Sequence, residues 1–220
     1  MKDTVAMANN NCASNTFLWL ELAWLFVCLP ASLLLPISPW LKLSLVLSGI
    51  FYCIYQSKNM GLLKGQHLLH FEHYSGSLMI WLRFLIFVIV SLILVTITMP
   101  ESLFSVVIGN PLLWLGICIF YAVFSVYPQE FLYRVFFFKR YNGLVANNRI
   151  FITLNAILFC MAHLVFLNSL VFLLTFIGGV LFALTYQKSR SLLLTSLEHS
   201  AYGLWLFTLG LGEMLAFPGA

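Results

Sequence analysis

An all-α bundle of about seven (seven to eight) transmembrane helices is the fold class this sequence predicts, and three observations predict it. Of 220 residues, 62% are hydrophobic and 8% charged, whereas soluble domains carry about 45–50% apolar and about 25% charged residues. Aromatic residues make up 16%, including 21 Phe, more bulk than a soluble fold of this size can hide from water. The apolar residues also gather into runs about as long as a bilayer is thick. Polar or proline-bearing segments separate these runs. A net charge of +4 in such a chain reflects Lys and Arg gathered on one side of a membrane. It is not a nucleic-acid signature.

The first 16 residues are polar, and Phe17 to Leu35 is a span without a small-x-small cleavage site after it, so it reads as retained. Pro36 and Pro39 do not fit a continuing helix interior, so the second span starts afresh and covers Trp40 to Tyr55. Residues 56 to 77 form a polar loop, Leu78 to Met99 a third span, and Glu101 to Asn110 a loop or interfacial turn. The fourth span, Pro111 to about Phe138, is long enough that it must tilt or project from the bilayer. Ile150 to Leu167, Leu170 to Tyr186 and Leu192 to Leu211 complete the set, and Gly178 and Gly179 suit close helix contact in the sixth span. Residues 1–110 thus hold three N-terminal spans and residues 111–220 four more.

With the N-terminus in the cytosol, Lys58, Lys64, Lys139, Arg140, Arg149, Lys188 and Arg190 fall on the inner side. Lys42, Glu101 and Glu213 fall outside. This asymmetry fits a multi-pass integral membrane protein with its N-terminus in the cytosol; in a bacterial cell the expected location is the inner, or plasma, membrane. The cysteines at 12, 28, 53, 118 and 160 form no C-x-x-C pair and read as small buried hydrophobes. His67, His70 and His73, with Glu72 among them, read as an interfacial amphipathic stretch. Their spacing is not the i, i+4 arrangement of the familiar helical zinc motif.

Charged groups inside a membrane helix are costly and mark functional candidates. Gln129, Glu130 and Arg134 lie in the fourth span, His163 in the fifth, and Glu198 and His199 in the seventh. Glu130 and Arg134 are four residues apart and share a helix face. That spacing fits either a packing ion pair or an acid whose charge an arginine sets. Glu198 reads first as a helix-end polar residue, and Glu21 and Arg83 sit near span ends where they can reach the interface. A carboxylate and two imidazoles around one water are the groups a hydrolytic site needs, as base, acid and oxyanion partner. His163 lies fourteen residues beyond Arg149, roughly 20 Å deep and deeper than Glu130 or His199. It joins them only if its helix tilts or starts elsewhere.

Three segments carry a resemblance. Gln129-Glu130-Phe131-Leu132-Tyr133-Arg134 resembles the E-E-x-x-x-R motif of the CAAX protease and bacteriocin-processing family of intramembrane proteases, as a divergent member. Phe159-Cys160-Met161-Ala162-His163 is similar to its F-x-x-x-H motif, and His199 to Gly203 to its H-x-x-x-N motif. The resemblance implies a catalytic-type core in residues 111–220 and an endopeptidase acting on a membrane-associated, possibly prenylated, or small peptide substrate. It implies Glu130, Arg134, His163 and His199 as catalytic, with Gln129, Phe159, Gly203 and Glu198 supporting. No cofactor is expected, although His163 and His199 could hold a divalent metal such as zinc. Gln129 stands where the family has its first glutamate and Gly203 where it has asparagine. A primary amide cannot serve as a base near neutral pH. The departures leave a second reading, a non-catalytic membrane scaffold or bacteriocin-immunity factor, and a third, a proton-coupled transporter. The expected partners are a membrane-associated peptide or protein substrate and the bilayer, with no nucleic acid.

Overall fold

The computed structural model describes residues 14–64 and 76–215. His67, His70, Glu72, His73 and Cys12 lie outside them. Within them the chain forms eight helices: α1 (Asn15–Ser32), α2 (Pro39–Asn59), α3 (Ser77–Thr98), the short α4 (Ser105–Gly109), α5 (Pro111–Arg140), α6 (Asn148–Met161), α7 (Ser169–Ser189) and α8 (Leu192–Thr208). No strand occurs among the described residues. The protein is an integral membrane protein built as an all-α polytopic bundle. Four of these helices and the apolar stretch Asn148–Phe166 are long and apolar enough to cross a bilayer.

Local chemistry sets the boundaries. Ser38, Asn110, Asn147, Asn168 and Ser191 each cap the helix that comes after, accepting from its first backbone amides with a side-chain oxygen. Pro39 and Pro111 take first-turn positions, where a missing N–H costs nothing. Pro30 and Pro128 lie inside α1 and α5, and each comes just after a π turn, Trp24–Cys28 and Tyr121–Val126. The wider turn takes up the break in the hydrogen-bond ladder that an interior proline forces.

The fifth predicted span is shorter than expected. α6 stops at Met161, and residues 162–168 form a turn and a 3-10 helix before α7. The His163 amide turns back to the Cys160 carbonyl, and its Nδ1 lies 2.8 Å from the Phe159 carbonyl oxygen. The side chain thereby satisfies a carbonyl that the ended helix leaves open. Nothing in the apolar run Leu164-Val165-Phe166-Leu167 signals this break.

An aromatic core of Phe26, Phe136, Phe137, Tyr141, Phe151 and Phe159 joins α1, α5 and α6. α6 and α7 pack closely because residue 179 is glycine: a Cβ there would stand 3.0 Å from the Ala156 Cα. Many large apolar side chains of α3, among them Leu78, Trp81, Ile89 and Ile97, point outward, as a lipid-facing surface requires. The described cysteines, Cys28, Cys53, Cys118 and Cys160, are free thiols.

Candidate functional site

Successive helical residues point about 100° apart, so Gln129 and Glu130 cannot face the same way. Glu130 turns into the protein and is fully buried, as is Arg134. The Glu130 carboxylate accepts from Arg134 Nε at 2.9 Å through Oε2. Its Oε1 lies 2.8 Å from His199 Nδ1. Arg134 also donates to Asn155 Oδ1, while Asn155 Nδ2 donates to the Tyr133 carbonyl at 2.9 Å. The guanidinium carbon sits 5.1 Å from the Phe159 ring centroid, a cation–π contact strengthened by desolvation. Side chains from α5, α6 and α8 thus meet at the ion pair.

The two histidines are held differently. An ionised carboxylate only accepts, so His199 Nδ1 carries a proton toward Glu130, and its Nε2 faces the Tyr121 hydroxyl at 3.2 Å. The His199 ring stacks on Phe182, centroids 4.5 Å apart and planes 20° apart. His163 Nδ1 is committed to the Phe159 carbonyl, which makes Nε2 its unprotonated nitrogen. The Phe159 ring lies 4.9 Å from His163 and 5.6 Å from His199, centroid to centroid. His163 sits in the turn beyond α6, beside the Phe159 ring.

Gln129, His163, His199, Tyr121 and Gly203 all line one cavity of about 1120 Å³ among α1, α2, α3, α5, α6, α7 and α8. Glu130 and Arg134 stand behind this wall. The Gln129 amide nitrogen donates to Ser125 Oγ at 2.9 Å, while its Oε1 is buried with no hydrogen-bond partner. The wall is otherwise almost wholly apolar, with Leu, Ile, Val and Phe side chains supplying most of it. Among the described residues no three His, Cys, Asp or Glu side chains gather as a metal-binding group.

Gly203, one helical turn beyond His199, is matched to Tyr121. A Cβ at 203 would overlap the Tyr121 ring and hydroxyl, so the phenol occupies the space a side chain at 203 would fill. Two sequence expectations need correction. Glu198 is not a loosely placed helix-end residue: its side chain is 1% exposed and lies 3.3 Å from Arg83 Nη2. Glu21 does not reach out to the interface. It is buried, and Arg140 clamps it through Nε at 2.9 Å and Nη2 at 2.7 Å, with Tyr141 donating to it at 2.9 Å. Arg83 likewise points into the bundle and lines the cavity.

Sequence reasoning missed Tyr121, Ser125 and Asn155. Asn155 left a signal, a carboxamide midway along an apolar helix eight residues before His163. Tyr121 left none, since tyrosine is common in apolar spans. Residues 110–205 match the family model described as Rce1-like, type II CAAX prenyl endopeptidase Rce1-like. No curated protein and no solved structure matches the chain.

Proposed function

Through residues 110–205 this chain belongs to the Rce1-like family of type II CAAX prenyl endopeptidases, and from that premise we propose that it is a peptide-holding member whose cavity lacks a carboxylate base. The observation that carries this reading is the pairing of positions 129 and 130. The residue turned to the cavity is the amide Gln129, and the acid Glu130 is buried against Arg134 and His199. A carboxylate so engaged orients His199 instead of meeting water. The ligand class is a membrane-associated peptide whose apolar or lipid-modified part lies in the cavity, the class that the family description brings with it. His163, His199, Tyr121 and Gln129 would meet its backbone. His163 and His199 both pack against Phe159, and Glu130 lies 2.8 Å from His199; this close grouping favours one binding site over a proton relay strung across the bilayer.

A second reading is favoured by one feature. With Nδ1 anchored to the Phe159 carbonyl, His163 holds an unprotonated Nε2 on a residue of the cavity wall, and an imidazole can itself take a proton from water. Hydrolysis would then run on His163, with Gln129 orienting the water.

Cleavage of a membrane-anchored reporter peptide by the full chain in vesicles separates the two. On the leading reading the wild type binds the peptide and leaves it intact, and Gln129→Glu raises cleavage about a hundredfold or more above background, the scale of a positioned base. On the second reading the wild type cleaves, and His163→Ala abolishes it. A wild type that binds no peptide contradicts both.

A further inference from the structure

Resting on the peptide-holding reading, we propose that Arg83 is the anchor for the free C-terminal carboxylate of the bound peptide. The cavity wall is apolar apart from a few neutral polar groups and the two imidazoles. Among the described residues that line it, Arg83 is the one Lys, Arg, Asp or Glu side chain. A solitary guanidinium facing an apolar cavity of about 1120 Å³ selects an amphiphile: an apolar body with an anion at one end.

Arg83 belongs to α3, outside the segment that matches the family, so the match assigns it no role. It is held at three points. Its Nε donates to the Met79 carbonyl and its Nη2 to Thr185 Oγ1, each at 3.3 Å. Nη2 also lies 3.3 Å from Glu198 Oε1. These contacts run through Nε and Nη2, and none of the described residues takes Nη1. The Arg83 side chain is 25% exposed while that of Glu198 is 1% exposed, so the cation presents itself to the cavity and its counter-ion stays behind. Arg83 and Glu198 each lie six residues past the first residue of their helix. At 3.3 Å the pair is long for a charge-assisted bond, which is usually about 2.7–2.9 Å. Glu198 therefore leaves the guanidinium unsaturated, and an arriving carboxylate competes with it for Arg83.

The test uses the full chain in phosphatidylcholine vesicles and two fluorescent lipidated peptides that differ at one end, a free acid in one and a C-terminal amide in the other. The wild type should bind the acid about tenfold or more tightly than the amide, the scale of one hydrogen bond to a charged group. Arg83→Gln should bind both peptides as weakly as the wild type binds the amide, and Arg83→Lys should keep a preference for the acid. Glu198→Gln removes the internal competitor and should bind the acid more tightly still. A purely structural Arg83–Glu198 pair would not produce that gain. Equal binding of acid and amide by the wild type overturns the assignment and leaves the peptide-holding reading standing, as does a preference that survives in Arg83→Gln. Binding of neither peptide overturns that reading itself. Loss of the acid preference when phosphatidylglycerol is added to the vesicles would reassign Arg83 to a lipid headgroup and overturn the peptide assignment.

Discussion

Glu130 and Arg134 are the two charges a membrane interior tolerates least, and each survives because the other, with His199 and Asn155, answers it. Breaking such a buried set by removing one member leaves an uncompensated charge, at about 3–5 kcal/mol. Gly203 and Tyr121 form a second matched set, now of shape. Gly203→Ala should lower the stability of the chain by about 1–3 kcal/mol, the scale of an overpacked core, because a methyl there overlaps the phenol ring. Thermal unfolding in detergent checks this, and adding Tyr121→Ala should relieve the overlap. A Gly203→Ala single variant as stable as the wild type would refute the pairing. At this scale the charged and imidazole members of the site were legible, since Glu, Arg and His stand out in apolar helices. Asn155 left a signal of the same kind, a carboxamide in an apolar helix, whereas Tyr121 and Arg83 were not legible. Tyrosine is ordinary in such helices, and Arg83 lies close enough to a helix start that snorkelling was its simplest reading.

Helices and their interruptions decide which way those side chains point. The π turns Tyr121–Val126 and Phe131–Phe136 flank the single turn that carries Pro128, Gln129 and Glu130. The sequence announces Pro128 but not how the helix absorbs it. The break after Met161 is similar: apolar residues run on without a pause, yet His163 turns back on the Phe159 carbonyl and the helix ends. The start of α7 is legible, because Asn168 is a helix-starting residue and accepts from the amides of Leu170 and Val171 at 2.9 and 3.2 Å. Asn168→Ala should destabilise the chain by about 1 kcal/mol, read as a lowered unfolding midpoint. A Ser in its place should recover most of the loss. An unchanged midpoint for Asn168→Ala would show that packing alone fixes the start of α7.

Across the whole molecule, two buried polar clusters tie the helices outside the matched segment to those within it. Arg83 and Glu198 join α3 to α8. Glu21 joins α1 to the end of α5 through Arg140, to Tyr141 just beyond it, and to Tyr52 of α2. Burial beside Glu21 pushes the Tyr141 hydroxyl well above the usual tyrosine range, which keeps it a donor to the carboxylate. Arg140→Gln should therefore loosen α1 from the core, seen as faster proteolysis and a lower unfolding midpoint, whereas Arg149→Gln, on an exposed residue, should change neither. The bundle and most helix positions were legible from apolar runs and prolines, because a bilayer dictates length and composition. Which helices carry the cavity wall was not, because that depends on helix rotation.

The most direct test of the central claim is whether the wild-type chain cuts the peptide it holds. Full-length protein in vesicles is incubated with excess membrane-anchored peptide, and the products are weighed by mass spectrometry beside Glu130→Gln. The account predicts bound but intact peptide from both proteins. Cleavage by the wild type that disappears in Glu130→Gln would contradict it, for Glu130 would then be a working base and not the buried partner of Arg134 and His199.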